Sequence, residues 1–287
     1  MTPRAEQVAA AFKAACRDEL DAPKPGNVHV YAAGHRMSTC EFERSAGAAA
    51  ASIAQPGARV GARILAAVEA TFAAVGTNTN LGIILLCAPL AAAVDSGSPG
   101  LRTALARVLE TLDIEDARLA YRAIAQAAPA GLGRVEQYDV FQPATVTLRH
   151  AMAAAADRDR IARQFACDFE DVFELGEPLL TTTLAWAPHP RWATLAVYLG
   201  FLSAFPDSHI VRKHGIGVAE ATRRAALRFH QRVQLQEPFD DLLPELLDWD
   251  AELKCEGINP GTSADLTVAT LFARRVRNIL PPSSNSD

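Results

Sequence analysis

The residues able to do chemistry sit in a few short polar segments, and the chain between them is rich in Ala and Leu. The first segment is Pro23-Lys24-Pro25-Gly26-Asn27-Val28-His29. Two prolines confine Lys24 to extended backbone and stop any preceding helix. Gly26 permits a tight turn or a close backbone approach to a ligand. Only four of the 28 basic residues are lysine, so one held rigidly beside open N–H groups is a candidate phosphate ligand. The alternative is a helix stop followed by a solvated turn. Glu19 stands just ahead of this loop.

The next segments carry further candidates. In Gly34-His35-Arg36-Met37-Ser38, His35 can bind phosphate, act as acid or base, or cap a helix over Glu41–Ser52. Thr77-Asn78-Thr79-Asn80-Leu81-Gly82 places four small polar residues before an apolar run. One suffices as an N-cap; the others would be costly to bury without partners, and a helix N-terminus attracts anions. Glu69 lies about two turns earlier, at the edge of the Leu65/Phe72 face. As a half-buried carboxylate it could hold Mg²⁺ or an incipient cation; as a surface residue it would do neither.

Asp207-Ser208-His209-Ile210-Val211-Arg212-Lys213-His214-Gly215 mixes both charge signs. Asp207 reads either as a functional carboxylate or as a helix cap. In an open turn Arg212 and Lys213 could both reach a polyphosphate; on a helix they diverge by about 100°. In Asn259-Pro260-Gly261-Thr262-Ser263-Ala264-Asp265-Leu266, Thr262 and Asp265 fit a capping-box-like start. Asp139, in the Gly131–Val140 loop, is another possible ligand carboxylate. No P-loop, dinucleotide glycine fingerprint, His-Glu-x-x-His or nucleophile-elbow motif is present.

The elements that must position these residues read as helices. Apolar residues recur at helical spacing over Pro3–Leu20, Val60–Val75, Leu101–Leu112, Glu115–Ala128, Pro143–Ala156, Arg160–Phe173, Pro178–Trp186, Arg191–Phe205, Gly217–Val233 and Thr262–Ile279. Leu81–Val94 is apolar all round and predicts a central helix that Pro89 kinks or ends. Ala22–Ser38, Gly76–Asn80, Asp95–Gly100, Pro129–Asp139, Pro206–Gly217 and Leu253–Gly261 read as loops. The expectation is one compact all-α domain of ten or more helices over residues 1–280, with a frayed polar tail at 281–287.

Composition bounds the function. A net charge of −5 argues against a general nucleic-acid surface. Five scattered cysteines without a Cys-x-x-Cys pair argue against a disulfide framework or structural zinc. The first residues lack a signal-peptide core. The longest apolar run, at 14 residues, falls short of the roughly 20 a membrane span needs. A cytoplasmic protein is expected, and its Ala-rich faces permit a homodimer.

Taken in order, the polar segments resemble those of the triphosphoribosyl-dephospho-CoA synthase family. Its pattern has an acid before a PKPGLVD loop, then GAHxDM, a glutamate ahead of TGGVNTHKG, a DTN…R segment and an NPGxxADL-like helix start. The matches are Glu19, Pro23-Lys24-Pro25-Gly26, Gly34-His35 with Met37, Glu69, Asn78-Thr79, Gly82, Asp207-Ser208-His209 with Arg212, Asn259-Pro260-Gly261 and Ala264-Asp265-Leu266. Departures are Asn80-Leu81 for the family's His-Lys, His29 for its loop aspartate and Arg36 for the aspartate before Met. This form resembles a divergent branch from archaea and methylotrophic bacteria that is linked to tetrahydromethanopterin-type C1-carrier cofactors.

The resemblance implies an all-helical transferase that joins C1′ of ATP ribose to the 2′-hydroxyl of 3′-dephospho-CoA and releases adenine. A phosphoribosyl or phosphate transferase with another acceptor, and a non-catalytic helical binding protein, are the alternatives. ATP is then a substrate and Mg²⁺ an expected companion. Glu69 and Asp207 would serve Mg²⁺ or the oxocarbenium-like centre, and Glu19 would be the base. Lys24, Arg212 and Lys213 would hold phosphates, and Asn78 and Asn80 ribose or phosphate oxygens. Asp265 would take metal or a hydroxyl, and Gly26, His35, Thr79 and His209 would complete the binding set. The arrangement requires five loops to converge at one end of the bundle.

Overall fold

A computed structural model describes residues 2–32, 38–98, 100–128 and 133–280. His35 therefore lies outside the described residues, as does the 281–287 tail. The described chain forms 14 α-helices: α1 (Pro3–Leu20), α2 (Thr39–Ile53), α3 (Val60–Val75), α4 (Leu81–Asp95), α5 (Leu101–Thr111), α6 (Ile114–Ala127), α7 (Leu148–Ala153), α8 (Arg160–Ala166), α9 (Glu177–Leu184), α10 (Pro190–Ala204), α11 (Ser208–His214), α12 (Ile216–Gln234), α13 (Phe239–Cys255) and α14 (Gly261–Arg277). A π-type segment, Asp171–Gly176, joins α8 to α9.

Local chemistry explains the helix ends. Thr2 caps α1, and Ser38 with Glu41 and Asp113 with Asp116 close full capping boxes at α2 and α6. Gly76 ends α3 in the left-handed conformation. The buried helices α4 and α14 run through the main core, where Phe12 of α1 meets Phe272 of α14 edge to face at 5.9 Å. A second core gathers Trp192, Tyr198 and Leu199 of α10 with Phe239, Leu242 and Leu246 of α13.

The structure departs from the sequence expectation in several places. Pro89 does not end α4, which continues to Asp95 with that turn buried on every side. The expected helix over 143–156 shrinks to α7, and 143–147 is irregular. The expected loop at 206–217 contains α11; α13 fills 239–252, where no element is expected, and runs to Cys255 inside the expected 253–261 loop; and the expected helix over 160–173 breaks after α8. Buried Leu242, Leu246, Asp250 and Leu253 mark the inner face of α13. A carboxylate interrupts that stripe and Pro244 punctuates the exposed side, so the helical period is masked.

Candidate active site

A cavity of about 770 Å³ opens where the ends of α1, α4, α8, α11 and α14 meet. Its wall includes Glu19 and Asn27, residues 77–83, Arg158, Asp159, His209, Arg212, Lys213, Asn259, Thr262 and Asp265. Hydrogen bonds stitch the contributing segments together. Asn27 donates to Asn259 Oδ1 at 2.8 Å. Ser208 accepts from the Arg160 N–H at 3.1 Å and lies 3.0 Å from the Thr262 hydroxyl. Asp159 caps α8 through Oδ1 and accepts from Arg212 at 3.2 Å through Oδ2.

Asp265 stands in the first turns of α14 and faces the cavity beside the start of α4. A side chain on Gly82 would overlap its carboxylate. Burial, reinforced by Glu19, Asp207 and Asp159, pushes the Asp265 carboxyl well above its ordinary range, while Arg212 pulls the other way. Asp265 accepts no hydrogen bond from the described residues, which suits a group reserved for something that enters the cavity.

Glu19 is 2 % exposed at the end of α1. Its Oε1 lies 3.1 Å from Lys24 Nζ, and Lys24 also donates to the Val28 carbonyl at 2.6 Å. Burial raises the Glu19 pKa against the attraction of Lys24, and burial lowers that of Lys24 against the attraction of Glu19. Asn80 uses Oδ1 to accept from Thr71 at 3.2 Å, which leaves its buried Nδ2 without a partner on the cavity wall. Asn78 accepts from the Leu81 N–H at 3.1 Å, closing the turn that leads into α4, and Thr79 donates to Ser45 at 2.7 Å. Lys213 and Arg158 are exposed at the rim.

Four expected site residues are not part of this wall. Lys24 is fully buried behind it and serves Glu19, not a phosphate. Gly26 packs on the C-terminal turn: an added Cβ would meet Pro260 Cδ at 2.8 Å. Glu69 is exposed on α3 and lies 4.0 Å from Arg122 of α6, so it is neither half-buried nor near the other carboxylates. Asp207 is a structural cap: Oδ1 accepts from the His209 and Ile210 N–H groups, and Oδ2 accepts from the N–H and hydroxyl of Ser263 at 2.8 Å each. All its near partners belong to the helix starts of α11 and α14, and no pair of Glu69 and Asp207 exists to hold a metal. Among the described residues no group of three or more His, Cys, Asp or Glu is gathered as a metal site.

Asp250 is a residue that the sequence patterns miss. Its Oδ1 accepts from the Gly26 N–H at 2.8 Å, and its Oδ2 lies 3.2 Å from His29 Nε2 and 2.8 Å from Lys254 Nζ. Burial works to raise its pKa, but the His29 and Lys254 contacts outweigh that and hold it below the ordinary value. A carboxylate therefore still stands beside position 29, supplied by α13. The sequence patterns also miss Arg158 and Asp159; the one signal available is that an Asp just ahead of α8 can cap it.

The family profile for ATP:dephospho-CoA triphosphoribosyl transferase, CitG, matches residues 5–283. The chain belongs to the CitG family. Its fold is shared with the crystal structure of a candidate triphosphoribosyl-dephospho-CoA synthase from Archaeoglobus fulgidus. That match has 22 % identity and a TM-score of 0.60, and covers 80 % of this chain and 95 % of that one. No curated protein matches significantly. This CitG-family chain is thus an all-α transferase by family, and among its described residues no helix is long and apolar enough to cross a membrane.

Proposed function

We propose that this CitG-family enzyme transfers the triphosphoribosyl group of ATP to 3′-dephospho-CoA in the cavity between α1, α4, α8, α11 and α14. The observation that carries the reading is the opposition of two carboxylates, Glu19 and Asp265, to the cations Arg158, Arg212 and Lys213 around one cavity. The C1′–N bond to adenine breaks and a C1′–O bond to the acceptor hydroxyl forms. The hydroxyl loses a proton and the departing adenine takes one up. Positive charge develops on the ribose in such a transfer, and a carboxylate close to it lowers the barrier.

Glu19 is the group for the acceptor proton: Lys24 holds it in place, and burial keeps it more basic than a surface carboxylate. Asn80 Nδ2 is a ready donor to a ribose or phosphate oxygen, and the rim cations hold phosphates. Mg²⁺ fits Asp265, because that carboxylate faces the cavity without a protein hydrogen bond and Mg²⁺ commonly uses one or two carboxylates plus substrate phosphates. Bound there, it would neutralise triphosphate charge. Glu69 and Asp207 do not fit that role.

A second reading keeps the ATP site and changes the acceptor. Leu81 stands where the family pattern has lysine, and it contributes an apolar surface to the cavity. An acceptor less charged than dephospho-CoA, such as a C1-carrier cofactor precursor, suits that wall. Incubation with ATP, Mg²⁺ and 3′-dephospho-CoA decides between them. Free adenine plus a triphosphoribosyl adduct by mass spectrometry is expected; adenine release only with another acceptor would replace the first reading with the second.

A further inference from the structure

The cavity has an end that the phosphate and ribose roles leave unused. One stretch of its wall is largely apolar: Ile124 of α6, Tyr138 and Val140 of the turn before α7, and Leu148 and Met152 of α7, with Gln137 and Asp139 beside them. Tyr121 of α6 belongs to this wall and is 5 % exposed. Its hydroxyl is buried and makes no hydrogen bond. Leaving such a group unpaired costs about 1–3 kcal/mol, so native structures rarely do it without a reason.

No neighbour serves it. Burial raises the Tyr121 pKa, and the nearby Asp139 carboxylate acts in the same direction. The Tyr138 hydroxyl is committed to His150 Nε2 at 3.2 Å. Asp139 spends Oδ1 on the Phe141 N–H at 2.8 Å and Oδ2 on the Val135 N–H at 3.1 Å, folding its own turn. A phenylalanine would fill the same space at lower cost if packing were the whole purpose.

We infer that this apolar end is a seat for the adenine ring of a substrate, and that the Tyr121 hydroxyl is the hydrogen-bonding group that reads the ring's edge. The inference rests on the transferase reading, in which both substrates carry adenine. A flat heteroaromatic ring is apolar on its faces and polar at its edge, which is the chemistry this wall offers. The phosphates carried by the ribose would extend toward Arg158, Arg212 and Lys213. The raised pKa keeps the hydroxyl protonated, able to donate to a ring nitrogen or accept from the exocyclic amine.

The test is Tyr121→Phe in the full chain, with calorimetric titration of ATP, 3′-dephospho-CoA and ring-free inorganic tripolyphosphate in Mg²⁺ buffer, beside thermal melting without ligand. The Kd of at least one nucleotide should rise about tenfold, as loss of one buried hydrogen bond predicts. The nucleotide affected identifies which adenine sits there. Tripolyphosphate should bind both proteins equally, and the ligand-free variant should melt no lower than the wild type, since its hydroxyl had no partner to lose. Unchanged nucleotide binding, or a lower melting temperature, overturns the inference while the transferase reading stands. A wild type that binds neither nucleotide overturns both.

Discussion

Asp265 carries opposite consequences for stability and for chemistry. Its pKa in the folded protein is raised, so the folded state prefers it neutral and its ionisation opposes folding. That penalty is absent below the unfolded value of about 4, grows as the pH rises from there toward the folded one, and is constant above it. Asp265→Asn should therefore melt at least about 2 °C higher than the wild type at pH 8, with a gap that closes toward pH 4, and should lose adenine release. Calorimetry at the two pH values checks the sign; an equal gap at both would remove the electrostatic cause. Gly82 tests the same point from α4. Ala there gains about 1 kcal/mol of helix propensity, yet its methyl group would displace the Asp265 carboxylate. Gly82→Ala should stay folded by circular dichroism and lose most activity.

The Pro23–His29 loop shows how an element can be recognised while the partners of its individual residues are not. Its prolines and Gly26 stop α1 and form a tight turn, as the sequence implies; Gly26 itself presses against Pro260 and α13, while Asn27 and Val28 line the cavity. Nothing in the local sequence marks Asp250, because a lone Asp in an amphipathic stripe reads as an interruption. Likewise Glu69 sits correctly on α3, but helical spacing alone cannot say whether that side of α3 meets a cavity or the neighbouring Arg122. Asn78, Asn80, Arg212 and Asp265 were legible because small polar or charged residues at helix ends need partners wherever they fall. The buried Glu19–Lys24 pair makes a prediction at this scale. Lys24→Met leaves Glu19 uncompensated and should cost about 3–5 kcal/mol in urea unfolding. Adding Glu19→Gln should restore most of that stability without restoring activity. Equal losses in the single and double variants would show that the pair is not coupled.

The whole molecule should be acid-labile in a particular window. His29 is buried between α1 and α13, and burial lowers its pKa despite the contact with Asp250. A base whose folded pKa is depressed contributes stability above its unfolded pKa of about 6.5, and that contribution is lost as the pH falls below it. Unfolding midpoints should decline between about pH 6.5 and 5, before ordinary carboxylates titrate, and His29→Gln should flatten the decline. A wild-type profile already flat there would assign acid lability to other groups. The placement of α14 has a further consequence. This helix, buried along nearly its whole length, fills the space beside α1, α4 and α10 and brings Asp265 to the cavity. A ribosome makes those three partners first, so the growing chain must hold their apolar faces without the helix that covers them. Activity arrives with the same late event that buries those faces, and until then the nascent chain carries the exposed apolar surface that invites aggregation.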